Sequence, residues 1–206
     1  VKTNFKWHLN VVLLFLGILT LVITVTINSR WLYSIDVGYL NILDNVPLSK
    51  TVLMKNYDEL MRYLNFFWIS SLNMSDFPSS ASGLFHFEQV KNLFQLNYGV
   101  LLVTLIPNIL FLRKLVKEKL FWRLIRPFQV ILGGFVALVM MMLVAFDQFF
   151  VMFHQLFFNN NDWIFNPSED PIILALPETY FLHCFLLFFV LLIGTCLLII
   201  FLGRRL

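Results

Sequence analysis

Four stretches of roughly twenty nearly uninterrupted apolar residues constrain this chain more than any other feature: about Leu9–Ile27, Leu96–Leu112, Phe128–Phe149 and Phe181–Leu202. About 20 apolar residues in helical form span the hydrocarbon of a bilayer. Inside lipid the backbone must satisfy its own hydrogen bonds, so such a run crosses as a helix. With 59% of residues apolar and only 13% charged, the chain lies far from the composition of a soluble globular protein. The expected fold is an all-α integral membrane protein, residues 1–206 forming a single membrane domain with four transmembrane helices. Pro107 falls inside the short second span, where it predicts a kink rather than a break.

The basic residues give an orientation. Lys2 and Lys6 precede the first span; Arg113, Lys114, Lys117, Lys119, Arg123 and Arg126 fill a loop at about 113–127; Arg204 and Arg205 end the sequence. These are ten of the 15 Lys and Arg residues, accompanied by a single acid, Glu118. The positive-inside rule then places both termini in the cytoplasm and two segments, about 30–95 and 150–180, outside. The basic loop points to anionic lipid as its neighbour and to no nucleic acid. VITVTINSR lacks a small-x-small cleavage pattern, so the first span reads as a retained anchor. Cys184 and Cys196 lie in the fourth span with neither metal spacing nor a disulfide framework.

The outer segments carry the candidate chemistry. Trp31 and Tyr33 mark the outer interface. Ser49–Phe66 reads as a helix capped by Ser49, with Leu53, Tyr57, Leu60, Met61 and Leu64 on one face, a helical cap between spans one and two. The turn-rich run Asp76–Gly83 leads into His86, with Ser82 as the expected helix cap. That places His86 near the first turn, where the helix dipole disfavours imidazolium and suits a base. Asp147 and His154, two turns apart, share a face at the outer end of span three. The connection Asn159–Pro177 is acidic and contains Asp170; Glu178 and Tyr180 open span four, and His183 follows one turn inside it.

Topology thus brings His86 and His154 to the same depth on the same side. Each alone has the bland explanation of a hydrogen-bonded interfacial side chain. No GxSxG elbow is present, and no Ser or Cys falls beside them in a nucleophile arrangement. His183 and Cys184 are consecutive and point about 100° apart on a helix. A zinc site would need a third ligand, for example Asp170 or Glu88, and neither HExxH nor a cysteine cluster supports one. Histidines without an enzyme nucleophile fit general acid–base catalysis on a substrate that carries its own attacking group. Two other classes stay open: a non-catalytic membrane accessory protein and a metal-dependent membrane hydrolase.

The segments NYDELMRYLN, FPSSASGLFHFEQVKNLF and FDQFFVMFHQLFFNNNDWIF, followed by DPIILALPETYF, resemble the lipoprotein intramolecular transacylase (Lit) family of Gram-positive bacteria over essentially the whole chain. The resemblance implies a multi-pass protein of the bacterial cell membrane with its site at the extracytoplasmic face. It implies transfer of the sn-2 acyl chain of a diacylglyceryl-cysteine lipoprotein onto the α-amino group of the same cysteine, yielding the lyso-form. It places the two catalytic histidines at His86 and His154, with no acyl-enzyme, no cofactor and no metal. The expected partners are the lipoprotein substrate and membrane lipid. His86 is the expected base and His154 the oxyanion or leaving-group partner; Asp147, Tyr57, Asp170 and Glu178 are the supporting candidates.

Overall fold

The structure, a computed structural model, describes residues 5–205. Lys2, part of the basic N-terminal signal, lies outside the described residues. Among these the regular structure is entirely helical. In chain order come α1 (Phe5–Ile27), α2 (Arg30–Tyr39), α3 (Lys50–Asn65) and α4 (Ala81–Lys117). They are followed by α5 (Ile125–Val144), α6 (Phe146–Phe157), the single turn α7 (Ile172–Ala175) and α8 (Glu178–Arg205). Helices α1, α4, α8 and the Phe121–Val144 run that contains α5 are long and apolar enough to cross a membrane. At 37 residues α4 extends about 55 Å, well beyond the roughly 30 Å of a hydrocarbon core. Within α4 lies the apolar run from Leu96 to Leu112, and His86 lies almost three turns before that run. Pro107 sits within α4 without ending it.

The third span differs from expectation. Rather than continuing to Phe149, α5 ends at Val144, and Ala145 (φ −147°, ψ 65°) separates it from α6. The sequence is apolar on both sides of the break and carries no proline or glycine there, so neither hydropathy nor turn chemistry marks it. The break makes α6, with Asp147 and His154, an element of its own.

The chain forms two compact units. The first comprises Val1–Asn28, Asn97–Phe146 and Phe185–Leu206. Its core gathers Leu14, Phe111, Leu115, Leu124, Phe128 and Cys196. A polar seam joins α1 to α4: Asn97 Nδ2 donates to Thr24 Oγ1 (2.8 Å), Asn108 Nδ2 to the Leu13 carbonyl (3.1 Å) and Asn28 Nδ2 to the Tyr98 hydroxyl (2.9 Å). Gly17 permits the close approach, since a Cβ there would stand 2.1 Å from Asn108 Nδ2. In lipid the hydrophobic effect does not press helices together, so small residues and interhelical hydrogen bonds take that role.

The second unit comprises Ser29–Leu96 and Asp147–Cys184. The expected outer helix is α3, and Ser49 Oγ caps it by accepting from the Val52 amide (3.3 Å). Its buried face includes Leu53, Tyr57, Leu60 and Leu64, as the spacing predicts. Tyr33 of α2 stacks on Tyr57 at 4.0 Å and donates to the Ala175 carbonyl at 2.9 Å; Tyr57 and Tyr180 share a 3.0 Å hydroxyl–hydroxyl bond. Arg30 forks onto Asp58 (2.6 and 2.9 Å), an exposed pair that orients α2 on α3 and contributes little stability.

Candidate active site

The entrance to α4 is fixed by side chains on the segment that follows α6. Ser80, not Ser82, is the cap: its hydroxyl accepts the Gly83 amide at 2.9 Å. Asp170, only 3% exposed, accepts from the Ser80 amide (2.8 Å) and the Ser80 hydroxyl (2.7 Å). A Cβ on Gly83 would come within 2.2 Å of Asp170 Oδ1, so this close approach requires glycine. Ser82 Oγ instead donates to Asp162 Oδ1 (2.6 Å), and Asn160 Nδ2 donates to Gln89 Oε1 (3.1 Å). Three polar ties therefore strap residues 158–170 along the first turns of α4. Without them the strap, which is largely irregular, would be mobile in the way unsupported loops are.

The strap touches both histidines. His86 is the sixth residue of α4, past the first turn, so the helix-start reason for making it a base does not hold. It is 7% exposed, and Phe158 and Phe165 present their rings edge-on to it at 4.8 and 5.6 Å. Its Nδ1 is buried without a hydrogen-bond partner. Burial, and then the neighbouring His154, hold its pKa down to about 4, against a weaker upward pull from Asp162. His154 lies in α6 with its ring centroid 5.9 Å from that of His86. The ring stacks on Trp163 at 4.6 Å, and Trp163 Nε1 donates to the Asn160 carbonyl at 3.2 Å. Burial lowers the pKa of His154 too, opposed by its bond to the Phe150 carbonyl.

Hydrogen bonding distinguishes the two rings. His154 Nδ1 lies 2.7 Å from the Phe150 carbonyl oxygen, which only accepts, so Nδ1 carries the proton and Nε2 offers a lone pair. For His86 the sealed Nδ1 is better left as an unprotonated acceptor, because an orphaned buried N–H is the rarer and costlier condition. Its proton then resides on Nε2. The pair thus combines a lone pair at His154 Nε2 with a donor at His86 Nε2, both rings neutral near pH 7.

Of the supporting candidates, Asp170 reaches the site through Ser80 and the start of α4. Tyr57 does not: its hydroxyl is taken by Tyr180, and burial pushes its pKa up to about 12. Asp147 and Glu178 lie near enough for their charges to interact, and among the described residues neither hydrogen-bonds a histidine. His183 Nδ1 meets both carboxylate oxygens of the buried Asp36 (2.8 and 2.9 Å), a pairing 147 residues apart in sequence. Among the described residues no group of three or more His, Cys, Asp or Glu is placed to hold a metal ion. The aromatic enclosure of Phe158, Trp163 and Phe165 carried no sequence signal beyond a general abundance of phenylalanine.

Comparison with known proteins agrees with this architecture. Residues 8–181 match the family described as lipoprotein intramolecular transacylase Lit. No curated protein sequence matches. Among solved structures, the membrane-integral transacylase Lit from Bacillus cereus superposes with a TM-score of 0.89 at 29% identity, over 96% of this chain and 94% of that one. Two variants of the same Bacillus cereus enzyme, each with one histidine replaced, superpose with TM-scores of 0.80 and 0.81 at 29% identity. They cover 96% and 98% of this chain and 90% and 95% of their own. With the family match spanning most of its length, this chain with four helices long and apolar enough to cross a membrane belongs to the lipoprotein intramolecular transacylase Lit family.

Proposed function

We propose that the chain moves the sn-2 acyl group of a diacylglyceryl-modified N-terminal cysteine onto the α-amino group of that cysteine. The product is an N-acyl, S-monoacylglyceryl lipoprotein. The observation that carries this reading is the pair of neutral imidazoles at His86 and His154, 5.9 Å apart inside an aromatic enclosure, with no hydroxyl or thiol among the described residues bonded to either. An enzyme nucleophile is unnecessary when the substrate amine attacks the substrate ester.

The tautomers favour His154 as base and His86 as oxyanion donor, the reverse of the helix-start assignment. An α-ammonium has a pKa of about 7.7–8.0 and sheds one proton before attack. As the C–N bond forms, His154 Nε2 takes a proton from the nitrogen. The carbonyl oxygen, now negative, accepts from His86 Nε2–H; removal of such a donor typically slows turnover by about 10²–10³. Collapse breaks the bond to the sn-2 oxygen, and His154 returns its proton to the leaving glyceryl alkoxide. Enclosure of amine and ester together supplies the effective molarity of an intramolecular step. The distribution of basic residues supports cytoplasmic termini and a site at the extracytoplasmic face of the cell membrane, in contact with membrane lipid.

The test is conversion of a diacylglyceryl lipopeptide, followed by mass spectrometry and normalised to folded protein. His86→Ala and His154→Ala should each lower turnover at least about 10²-fold. The double variant should be little worse than the poorer single one, because groups acting as a unit are non-additive. Near-normal conversion by either single variant removes that residue from the mechanism.

A further inference from the structure

The outer segment between α3 and α4 borders a groove of about 470 Å³ that the transfer chemistry does not use. Its wall is residues 72–79, a stretch with no regular secondary structure, and Leu84 of α4 closes one side. This wall is anchored in three places. Glu59 holds Ser75 through both its amide (2.8 Å) and hydroxyl (2.7 Å). Asn56, fully buried, accepts from the Asp76 amide (2.9 Å) and donates to the Asp76 carboxylate (2.7 Å). Asp170 grips Ser80 just beyond the wall's end. Between these anchors, among the described residues, the main chain of 72–79 bonds to protein only through the Ser75 and Asp76 amides. A pinned, non-helical segment with unused N–H and C=O groups beside a groove is the arrangement that receives another polypeptide by main-chain hydrogen bonding.

We propose that this groove binds the polypeptide that follows the lipidated cysteine of the substrate, reading its main chain rather than its side chains. The proposal rests on the transacylase reading and adds to it where the unmodified part of the substrate goes. The groove belongs to the segment placed outside the membrane, the side on which the protein part of a lipoprotein lies. It also adjoins the chemistry, since Leu84 precedes His86 by two residues on the same helix. Two residues correspond to about 200° around a helix, so the substrate chain must pass around the start of α4 to reach the groove. The way half around a helix about 10 Å across is about 16 Å and an extended chain advances about 3.3 Å per residue, so roughly five residues make that passage. The sixth and later residues are the ones the groove holds.

The experiment uses the full chain in phospholipid vesicles with diacylglyceryl-cysteine substrates bearing no further residue, five residues or eight residues. A fourth substrate has eight residues with the last three amides N-methylated. KM is expected to fall at least tenfold from five to eight residues, to change little from none to five, and to rise again on N-methylation. In Asn73→Trp, which fills the groove from an exposed position, the ratio of KM between the five- and eight-residue substrates should approach one. Conversion of every substrate with equal KM overturns the groove while leaving the transacylase reading intact. A length effect that survives N-methylation overturns main-chain recognition, and one that survives Asn73→Trp overturns this location. Failure to convert any substrate, the residue-free one included, overturns the reaction itself and the groove's role with it.

Discussion

Acidification of the wild-type chain and of His86→Gln gives a direct measure of how firmly the site holds His86 neutral. The imidazole is 7% exposed, its Nδ1 has no partner, and its pKa is displaced from 6.5 to about 4. Each pKa unit corresponds to about 1.4 kcal/mol of difference between protonation states, so the displacement amounts to about 3 kcal/mol. The folded pKa lies below the unfolded one, hence the unfolded chain takes up the proton first as the pH falls. The contribution is complete above pH 6.5 and is lost between pH 6.5 and about 4. For a chain of this size 1 kcal/mol shifts the melting temperature by about 2–4 °C, so the loss is roughly 6–12 °C. Thermal unfolding in detergent micelles, recorded for both proteins from pH 7.5 to 4, reads the effect as a difference. His154 and the carboxylates titrate in both proteins and largely cancel. The wild-type curve should fall toward and past that of His86→Gln as the pH drops below 6.5. Two parallel curves over the whole range would refute the buried, neutral His86.

Two further outcomes follow from the same geometry. Asp170→Asn sets an amide N–H₂ against a Ser80 hydroxyl that already accepts from Gly83, and the lost charged hydrogen bond costs about 1–3 kcal/mol. Hydrogen exchange of the amides at Ser80 and Gly83 should accelerate and turnover should fall about tenfold, whereas unchanged exchange would detach Asp170 from the site. For topology, Asn160→Cys in a Cys184→Ala, Cys196→Ala background should react with an impermeant thiol reagent in intact cells; labelling only after permeabilisation would invert the orientation.

What the sequence revealed, and what it did not, follows from the range of the interactions involved. The spans were legible because a bilayer imposes a length and polarity on every crossing helix, and α3 was legible because Ser49 and one apolar face are local signals. The break at Ala145 was not, since the same apolar residues serve a continuous helix equally well. Helix α2 was missed because its buried face includes Asp36, whose partner His183 lies 147 residues away. His86 and His154 stood out as ionisable groups at the expected membrane boundary. Their tautomers did not, because these depend on the Phe150 carbonyl and on a sealed Nδ1. Ser80 displaced Ser82 as the cap for a similar reason: Asp170, 90 residues on, selects it.

The low basicity of His86 fits the donor role proposed for it. A protonated His86 would be the stronger hydrogen-bond donor to an oxyanion, yet it would place a positive charge beside a substrate that arrives largely as an ammonium. Like charges in a poorly solvated enclosure repel strongly, and the nearby His154 would be disfavoured as a proton acceptor as well. The rings of Phe158 and Phe165 remove that difficulty by excluding the water that would stabilise imidazolium. As the proposed base His154 needs the opposite property, and its Nδ1–H bond to the Phe150 carbonyl works against the effect of burial, preserving basicity at Nε2. The strap explains how one segment can serve both ends. Its phenylalanines lower the basicity of His86 while its tryptophan stacks on His154, and its ties to Ser80, Ser82 and Gln89 hold it against the start of α4. In the proposed reaction the proton therefore moves to the histidine that can hold it, and the oxyanion forms beside the one that cannot.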